Sequence, residues 1–366
     1  MRSYGEKMVL KKRAPNRSNS LALVGGSRTI GGVEIFNSRL SGLLQGSGVA
    51  VTNHPLNSNI PTTNRVIWPI LLIAALIIAL VQLVRNRPQR IVVSCGNIID
   101  VFIARLIAVV LRRKDIVAIA HFNASWRFWQ YQSMVRALRK SSQSVQLFCI
   151  APNQKKFFLE QGIIVEKQIF PNFFHYPTKP CVTRKAVDGQ SGRQKIVALY
   201  AGRINREKQV VELAKFLSDI ACSSIHVEFR LAGECPSEIE AEVSILEHQC
   251  FSTTFLGRLN QEGVSAELRT ADLFCTFSAS DTLPLNMLEA AANQVPILTR
   301  RNPVTSDVDA LVGGLLFAEN AEPMKMFRVH LMSKIAMPPN YKVRQLIEKN
   351  ESTVLSLLKV PNYTHE

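Results

Sequence analysis

Two acidic side chains, Asp281 and Glu289, are the first residues of this chain whose type and spacing could support chemistry. The apolar run 273–277 predicts a buried parallel strand, and apolar residues at helical spacing predict a helix that begins near Pro284. Asp281 then lies in the loop at the carboxyl end of a strand, where ligands of open α/β sheets bind, and Glu289 lies in the helix. Both acids could accept hydrogen bonds from sugar hydroxyls. The spacing alone fits equally well one acid that compensates a helix dipole and one solvated acid.

Two basic side chains, Arg203 and Lys208, occupy a second strand-to-helix turn. The apolar run 196–201 predicts the strand, Gly202 follows it, and the next helix buries an apolar face that begins at Val210. A diphosphate binds at such a turn, because backbone N–H groups and cations converge there. Solvated surface charges are the alternative interpretation of this pair.

A glycine-rich loop, 25–32, joins the apolar strand 21–24 to an amphipathic helix that begins at Val33. Bare backbone N–H groups and a helix N-terminus suit the approach of a phosphate. The spacing is not G-x-G-x-x-G, so the loop does not predict a dinucleotide site.

His121 ends a further predicted strand, 116–120, and therefore lies at the same type of sheet edge. A single histidine is more often structural than catalytic, but this one is expected to face the cleft at a carboxyl edge. The aromatic and basic segment 126–140 follows, and either ordinary packing or contact with a membrane interface or a lipid acceptor would explain it.

The turn Gly-Arg-x4-Lys at 202–208, the segment Asp-x7-Glu-Ala at 281–290 and the Phe-Leu-Gly turn at 255–257 resemble the signatures of family 4 glycosyltransferases. The first two follow each other in the order typical of the family, and the Asp-Thr-Leu-Pro form at 281–284 resembles its surface-polysaccharide branch. The resemblance spans about residues 20–320 and is stronger in the second half. It implies an α/β fold of the GT-B type, in which two Rossmann-like domains turn their parallel sheets toward a common cleft.

The resemblance also implies roles for residues. It assigns Arg203 and Lys208 to the donor diphosphate, Glu289 to the ribose, Asp281 to the donor sugar, and His121 to the orientation of sugar and acceptor. The candidate catalytic residues are His121, Asp281, Arg203 and Lys208. The candidate donor-binding residues are Gly31, Gly32, Arg203, Lys208, Gly257, Asp281, Thr282, Leu283 and Glu289.

The expected reaction transfers a sugar, with retention, from a nucleotide sugar to a lipid-linked or oligosaccharide acceptor. The nucleotide sugar is a substrate, so we expect no cofactor. No metal is expected either, because two cations already face the diphosphate; the D-x-D sequence at 307–309 is interpreted as structural.

Two departures from the family pattern keep an alternative open. Asp281 stands where the family has Glu and reaches one methylene less far, and Phe173 replaces the usual Gly at the end of the first domain. A non-catalytic, membrane-associated partner protein with the GT-B fold is therefore the second hypothesis.

The chain has 366 residues, enough for two domains that each bury a core. We expect a basic tail at 1–19, an acceptor-binding domain at 20–176, a linker at 177–195 and a nucleotide-sugar domain at 196–320. Residues 321–366 are expected to be helical and to cross back to the first domain.

The excess of positive charge is confined to the first half. Residues 1–176 hold 23 Lys and Arg against 6 Asp and Glu, which leaves 21 against 22 for residues 177–366. This asymmetry predicts an anionic partner, and an anionic membrane surface is favoured because no nucleic-acid-binding motif is present. The tail itself is more simply explained as a solvated segment. Seven scattered cysteines without a C-x-x-C pair favour a reducing compartment, so a cytoplasmic location is expected.

Residues 66–84 contain no charged side chain. As a helix they would extend roughly 28 Å, close to the thickness of a bilayer core. Pro69 and Gln82 interrupt the stretch, and a strand follows it directly. We therefore favour a helix at the inner face of the membrane, with the protein bound peripherally, over a single span.

Overall fold

The protein contains two parallel sheets of six strands each, and their helices lie in the connections between strands. This computed structural model describes residues 20–25, 32–56, 67–122, 132–169, 194–278, 281–320, 324–336, 351–356 and 358. The predicted α/β class with two parallel sheets is confirmed.

The first sheet has the strand order β2-β1-β3-β4-β5-β6. Its elements are β1 (Ser20–Gly25), α1 (Gly32–Gly46), β2 (Ala50–His54), α2 (Ile67–Asn86), β3 (Arg90–Cys95), α3 (Ile98–Val110), β4 (Ile116–Ala120), α4 (Gln132–Ser142), β5 (Gln146–Cys149), α5 (Pro152–Glu160) and β6 (Lys167–Gln168).

The second sheet has the order β12-β11-β10-β7-β8-β9. Its elements are β7 (Gln194–Ala201), α6 (Val210–Ile220), β8 (Ile225–Ala232), α7 (Ser237–Ser244), β9 (Phe251–Gly257), α8 (Gln261–Thr270), β10 (Leu273–Thr276), α9 (Leu285–Ala292), β11 (Ile297–Thr299), α10 (Pro303–Val312), β12 (Leu316–Phe317) and α11 (Met324–Ala336).

Alternate residues of each central strand belong to different apolar clusters, because helices cover both faces of the sheets. In β1, Leu21 and Leu23 lie in a cluster with Phe36 of α1, whereas Ala22 and Val24 lie in a cluster with Leu83 of α2. The first of these clusters also contains residues of the second sheet and its helices, so a continuous apolar core extends from one half of the protein to the other.

Helix α2 packs against the first sheet along one side only. Ala79 and Leu83 are buried, whereas the opposite side leaves large aliphatic side chains exposed. Gln82, which interrupts the apolar sequence, bonds to the ring Nδ1 of His54 at 2.8 Å. Within the described part of the chain, no helix combines the length and the apolar character that crossing a membrane requires.

Some predicted boundaries differ from the structure or lie outside the described residues. Strand β7 begins at Gln194, two residues before the predicted start of the second domain, because its first residues already pair with Ile225 and His226 of β8. The remainder of the linker, the tail 1–19 and residues 126–131 of the segment 126–140 lie outside the described residues.

Residues 351–356 are helical, and Val354 lines a small cavity with Ile119, Phe148 and Ile169 of the first half. Residues 337–350 and 359–366 lie outside the described part of the chain. The domain division itself remains a prediction.

Candidate active site

The carboxyl edges of the two sheets meet in the region where the candidate residues lie. Thr282, which precedes α9, donates a hydrogen bond from Oγ1 to the backbone oxygen of His121, at 2.8 Å. His121 directly follows β4 in the first half. The predicted cleft between the two sheets is therefore bridged at this point by residues that both belong to the candidate site.

Lys208 is held in the turn between β7 and α6. The side chain of Asn205 accepts a hydrogen bond from the backbone N–H of Lys208 at 3.1 Å, and this bond caps a single 3-10 turn, Arg206–Lys208. Gln209 then adopts a left-handed conformation, φ 52°, and α6 begins after it. This local geometry turns the side chain of Lys208 inward, so that only 7% of the residue is exposed.

The buried ammonium group of Lys208 has two oxygen partners from the segment after β10. Nζ lies 2.5 Å from Oδ1 of Asp281 and 3.0 Å from Oγ of Ser278. A buried ammonium group without such partners would be strongly destabilising, so Asp281 supplies the counter-charge in this state. The pair also shows what the ammonium group can do chemically: it is prepared to bind an anionic oxygen in a largely dehydrated position.

The loop that carries Arg203 is fixed by hydrogen bonds to its backbone. The hydroxyl of Tyr200 donates to the carbonyl of Arg203 at 2.6 Å, and Nδ2 of Asn286 donates to the carbonyl of Ala201 at 2.7 Å. Burial, and to a smaller degree the charge of Asp281, raises the pKa of Tyr200, so its hydroxyl stays protonated. The side chain of Arg203 is exposed and pairs with no acid among the described residues.

Glycines allow the turns after β7, β8 and β9 to lie close together. A Cβ at Gly233 would lie 2.0 Å from the carbonyl oxygen of Gly202, so no other residue fits there without a shift of the backbone. The N–H of Gly233 also donates to the carbonyl of Gly257 at 2.8 Å. Gly257 has φ +65° and open space beside it. It lies at the edge of the sheet, two strands from β7.

His121 presents a neutral imidazole to the cleft. Its ring lies edge to face against Phe36 of α1, with the centroids 4.7 Å apart. Burial lowers the pKa of His121 from 6.5 to about 3. The Nε2 atom is enclosed and has no hydrogen-bond partner among the described residues. A buried nitrogen without a partner is costly, and a ligand hydroxyl that reached it would satisfy it.

Glu289, on α9, forms an ion pair with Arg39 of α1 in the other half of the protein. Leu283, which follows Thr282, is buried in the apolar cluster shared by both halves. Gly32 is the first residue of α1, whereas Gly31 lies outside the described residues.

The two acids of the D-x-D sequence bond to the backbone. Oδ2 of Asp307 accepts from the N–H of Asn153, at the N-terminus of α5, at 2.7 Å. Oδ1 of Asp309 accepts from the N–H of Leu315 at 3.0 Å. These bonds agree with the structural interpretation of that sequence.

The structure therefore brings Lys208 next to Asp281, and His121 next to Thr282. It does not bring Arg203 or Gly257 into contact with either pair. Sequence reasoning missed Arg39, Tyr200 and Asn286. Tyr200 could have been found as a polar group at the end of a buried strand, but nothing near Arg39 in the sequence points to a partner 250 positions away.

Part of this chain is similar to known proteins. Residues 184–326 match the family model described as glycosyl transferases group 1. A curated relative from Streptococcus pneumoniae, an alpha-monoglucosyldiacylglycerol synthase, is 26% identical over 135 residues; the match spans 36% of this chain and 30% of the relative's length.

Among solved structures, Anabaena Alr3699/HepE in complex with UDP and glucose has a TM-score of 0.64 at 15% identity; the match covers 92% of this chain and 100% of that one. The lipopolysaccharide outer core galactosyltransferase WaaB has a TM-score of 0.62 at 14% identity, with 93% and 97% covered. The GT-B fold and the resemblance to glycosyltransferases are thereby confirmed. Membership of family 4 in particular stays a prediction.

Proposed function

We propose that this protein is a glycosyltransferase that moves a sugar from a nucleotide-sugar donor to a lipid-linked or oligosaccharide acceptor. The observation that carries the proposal is the buried ammonium group of Lys208, in contact with Asp281 and Ser278 at the carboxyl edge of the second sheet. This cluster lies inside the segment that matches the glycosyltransferase family model.

In the proposed reaction the leaving diphosphate replaces Asp281 as the partner of the Lys208 ammonium group. Negative charge grows on the diphosphate as its bond to the anomeric carbon breaks, and a prearranged cation stabilises that charge without further reorganisation. Arg203, exposed at the same turn, adds a second cation. Asp281 is released from Lys208 in this step, which frees its carboxylate to accept hydrogen bonds from the donor sugar.

Two further residues are proposed to align the substrates. Nε2 of His121, enclosed and without a partner among the described residues, would pair with a hydroxyl of the donor sugar or of the acceptor. Glu289 would accept hydrogen bonds from the ribose hydroxyls. Since Lys208 and Arg203 already face the diphosphate, we propose that transfer needs no metal and no cofactor, so that activity persists in EDTA. Retention at the anomeric carbon is also proposed, and the anomeric coupling constant of the product in NMR spectra would test it.

The first experiment is thermal unfolding in the presence of a panel of nucleoside diphosphates and nucleotide sugars. A ligand that binds only the folded protein raises its apparent stability. UDP is the first member of the panel, because a structurally similar protein holds it. We expect one nucleotide to stabilise the wild type but not Arg203→Ala, and transfer from its sugar derivative to be lost in Glu289→Ala. If no nucleotide stabilised the wild type, the donor-site assignment would be wrong.

We further propose that the protein binds peripherally to an anionic membrane at its inner, cytoplasmic face. The support lies on the outer side of the first sheet. Large aliphatic side chains of α2 are each more than half exposed there: Ile73, Ile77, Ile78, Val81 and Val84. Val109 and Val110 of α3, a helix that packs on the same face of the sheet, are exposed to a similar degree. We call these seven residues the aliphatic face.

Basic residues flank the aliphatic face at one end. Arg85 and Arg87 follow the last exposed aliphatic residue of α2, and Arg112 and Lys114 follow α3; all four are exposed. Both helices run antiparallel to the strands, so these ends lie at the same edge of the sheet. An aliphatic surface beside cations fits the boundary between acyl chains and anionic headgroups. A similar relative is named for the synthesis of a glucosyl lipid, which favours a lipid as acceptor.

A further inference from the structure

The ion pair between Arg39 and Glu289 links the two halves of the protein at the proposed ribose site. Arg39 belongs to α1 and is only 8% exposed. Its Nη2 contacts Oε1 of Glu289, whose side chain is 18% exposed. A partly buried ion pair of this kind contributes more than a surface pair, because water screens it less.

The position of Arg39 is fixed by the packing of its helix. Phe36, one turn earlier in α1, packs against the ring of His121, and Leu40 is fully buried in the cluster that both halves share. The guanidinium group therefore reaches across the cleft from a helix that has little freedom to move relative to the first sheet.

We propose that Arg39 is a positioning residue that couples recognition of the donor ribose to closure of the cleft. This inference rests on the proposed function. Through the pair, the first half holds the carboxylate of Glu289 in the orientation that the ribose hydroxyls require. Donor binding and contact between the two halves then stabilise each other. The first half, which we propose binds the acceptor, therefore closes on the second half when the donor is bound.

The geometry allows Arg39 to position Glu289 without competing with the ribose for its carboxylate. The hydrogen bond from Nη2 of Arg39 goes to Oε1 of Glu289, and none of the described residues donates a hydrogen bond to Oε2. An ionised carboxylate accepts several hydrogen bonds on its two oxygens. Glu289 can therefore keep Arg39 on one oxygen and receive a ribose hydroxyl on the other.

The test is a double-mutant cycle with UDP as the probe, in which affinity is measured by calorimetry. Arg39→Met removes the charge but keeps most of the apolar stem, Glu289→Gln removes the negative charge, and the double variant removes both. We expect each single variant to lose about tenfold in affinity, and the double variant to lose little more than either, because residues in contact are not additive. Arg39→Lys keeps a shorter cation and should fall between wild type and Arg39→Met.

Small-angle scattering without ligand provides a second readout that does not depend on nucleotide binding. Arg39→Met, Glu289→Gln and the double variant should show the same increase in radius of gyration, because each breaks the same bridge between the halves. Asp115→Ala is the matched control: it breaks ion pairs within the first half, to Arg90 and Arg113, and leaves both Glu289 and the contacts between the halves untouched. Its affinity for UDP should stay at the wild-type value.

The outcomes separate this inference from the proposed function. If Glu289→Gln weakened UDP binding but Arg39→Met did not, or if Arg39→Met tightened it, Arg39 would not position the carboxylate. Additive losses in the double variant would overturn the coupling as well. If the wild type bound neither UDP nor any other nucleoside diphosphate, the proposed function itself would fail, and this inference with it.

Discussion

The two halves of this protein are built alike, but their helices present different surfaces to the solvent. Both halves have six parallel strands. The outward side of α6, in the second half, carries Glu212, Lys215 and Asp219, all exposed. The outward side of α2, in the first half, carries exposed isoleucine and valine instead. The fold does not require an apolar outer surface, so the aliphatic face of the first half needs an explanation outside the fold.

The charged groups of the two halves differ in a second way. In the second half, Lys208 and Asp281 pair with each other within one sheet edge. In the first half, Arg39 is buried against an acid that belongs to the other half. The second half thus contains both members of its buried ion pair, whereas the buried arginine of the first half depends on contact with the second half. This contrast agrees with our proposal that the second half binds the donor and that the first half contacts the acceptor and the membrane.

The largest expected effect comes from the ion pair of Lys208 and Asp281. Lys208→Met removes the cation that we propose to stabilise the leaving diphosphate, and kcat/KM for transfer should fall about 10²–10³-fold. Lys215→Met, on the exposed side of α6 in the same half, is the matched control and should keep wild-type activity. Circular dichroism of both variants verifies folding. If Lys208→Met turned over as fast as the wild type, the proposal that the second half holds the donor site would be wrong.

The next effect concerns the aliphatic face. The double substitution Ile77→Asp and Val81→Asp places two charges on adjacent turns of α2. Binding to vesicles that contain phosphatidylglycerol, measured by co-sedimentation, should weaken by at least about tenfold, since aliphatic burial is replaced by charge repulsion.

Ile245→Asp provides the control for the aliphatic face, because Ile245 is an isolated exposed aliphatic residue of the second half. It should bind vesicles as the wild type does. Equal losses in both variants would mean that the two halves do not differ in membrane contact.

A smaller effect is expected in the pH dependence of stability. Folded His121 stays neutral down to about pH 3, whereas its unfolded counterpart takes up a proton below about 6.5. Acid therefore favours the unfolded state: the contribution of His121 is complete above pH 6.5 and is lost as the pH falls toward 3. Between pH 7.5 and 5, the wild type should lose roughly 1–2 kcal/mol more unfolding free energy than His121→Asn. Unfolding free energies are measured in urea. If the wild type and His121→Asn lost equal unfolding free energy between pH 7.5 and 5, the imidazole would not be buried.

The smallest effect concerns the second contact between the halves. Asp307→Ala removes the side chain that bonds to the N-terminus of α5, and stability in urea should fall by about 1 kcal/mol, as for other helix caps. Asp307→Asn keeps an acceptor oxygen and should lose less. The exposed Asp219→Ala is the control and should unfold as the wild type does. An unchanged midpoint in Asp307→Ala would mean that this cap does not stabilise the fold.

Much of the second half could be predicted because its signals are local. The apolar run before Gly202 predicted β7, and the cations after it marked the turn that holds Lys208. The acids at 281 and 289 were placed correctly in a loop and in a helix. Strand periodicity and turn chemistry depend on neighbours in sequence, so these features need no knowledge of the tertiary structure.

The partners of the site residues could not be predicted in the same way. The structure gives Asp281 a partner in Lys208, 73 positions away, that the sequence did not indicate; its contact with the donor sugar stays a prediction. Gln82 was interpreted as an interruption of an apolar span, and the structure gives it a partner in His54. Hydropathy records how apolar a helix is, but not which side of it the sheet will cover.

The sequence by itself therefore determined the two parallel sheets, the turn of Lys208 and the excess of positive charge in the first half. Only the tertiary structure decided that Arg39 meets Glu289, that Asp281 neutralises Lys208, and that one side of α2 stays exposed. The physical reason is that periodicity and turn preferences act over a few residues, whereas ion pairs and buried faces depend on the packing of distant segments.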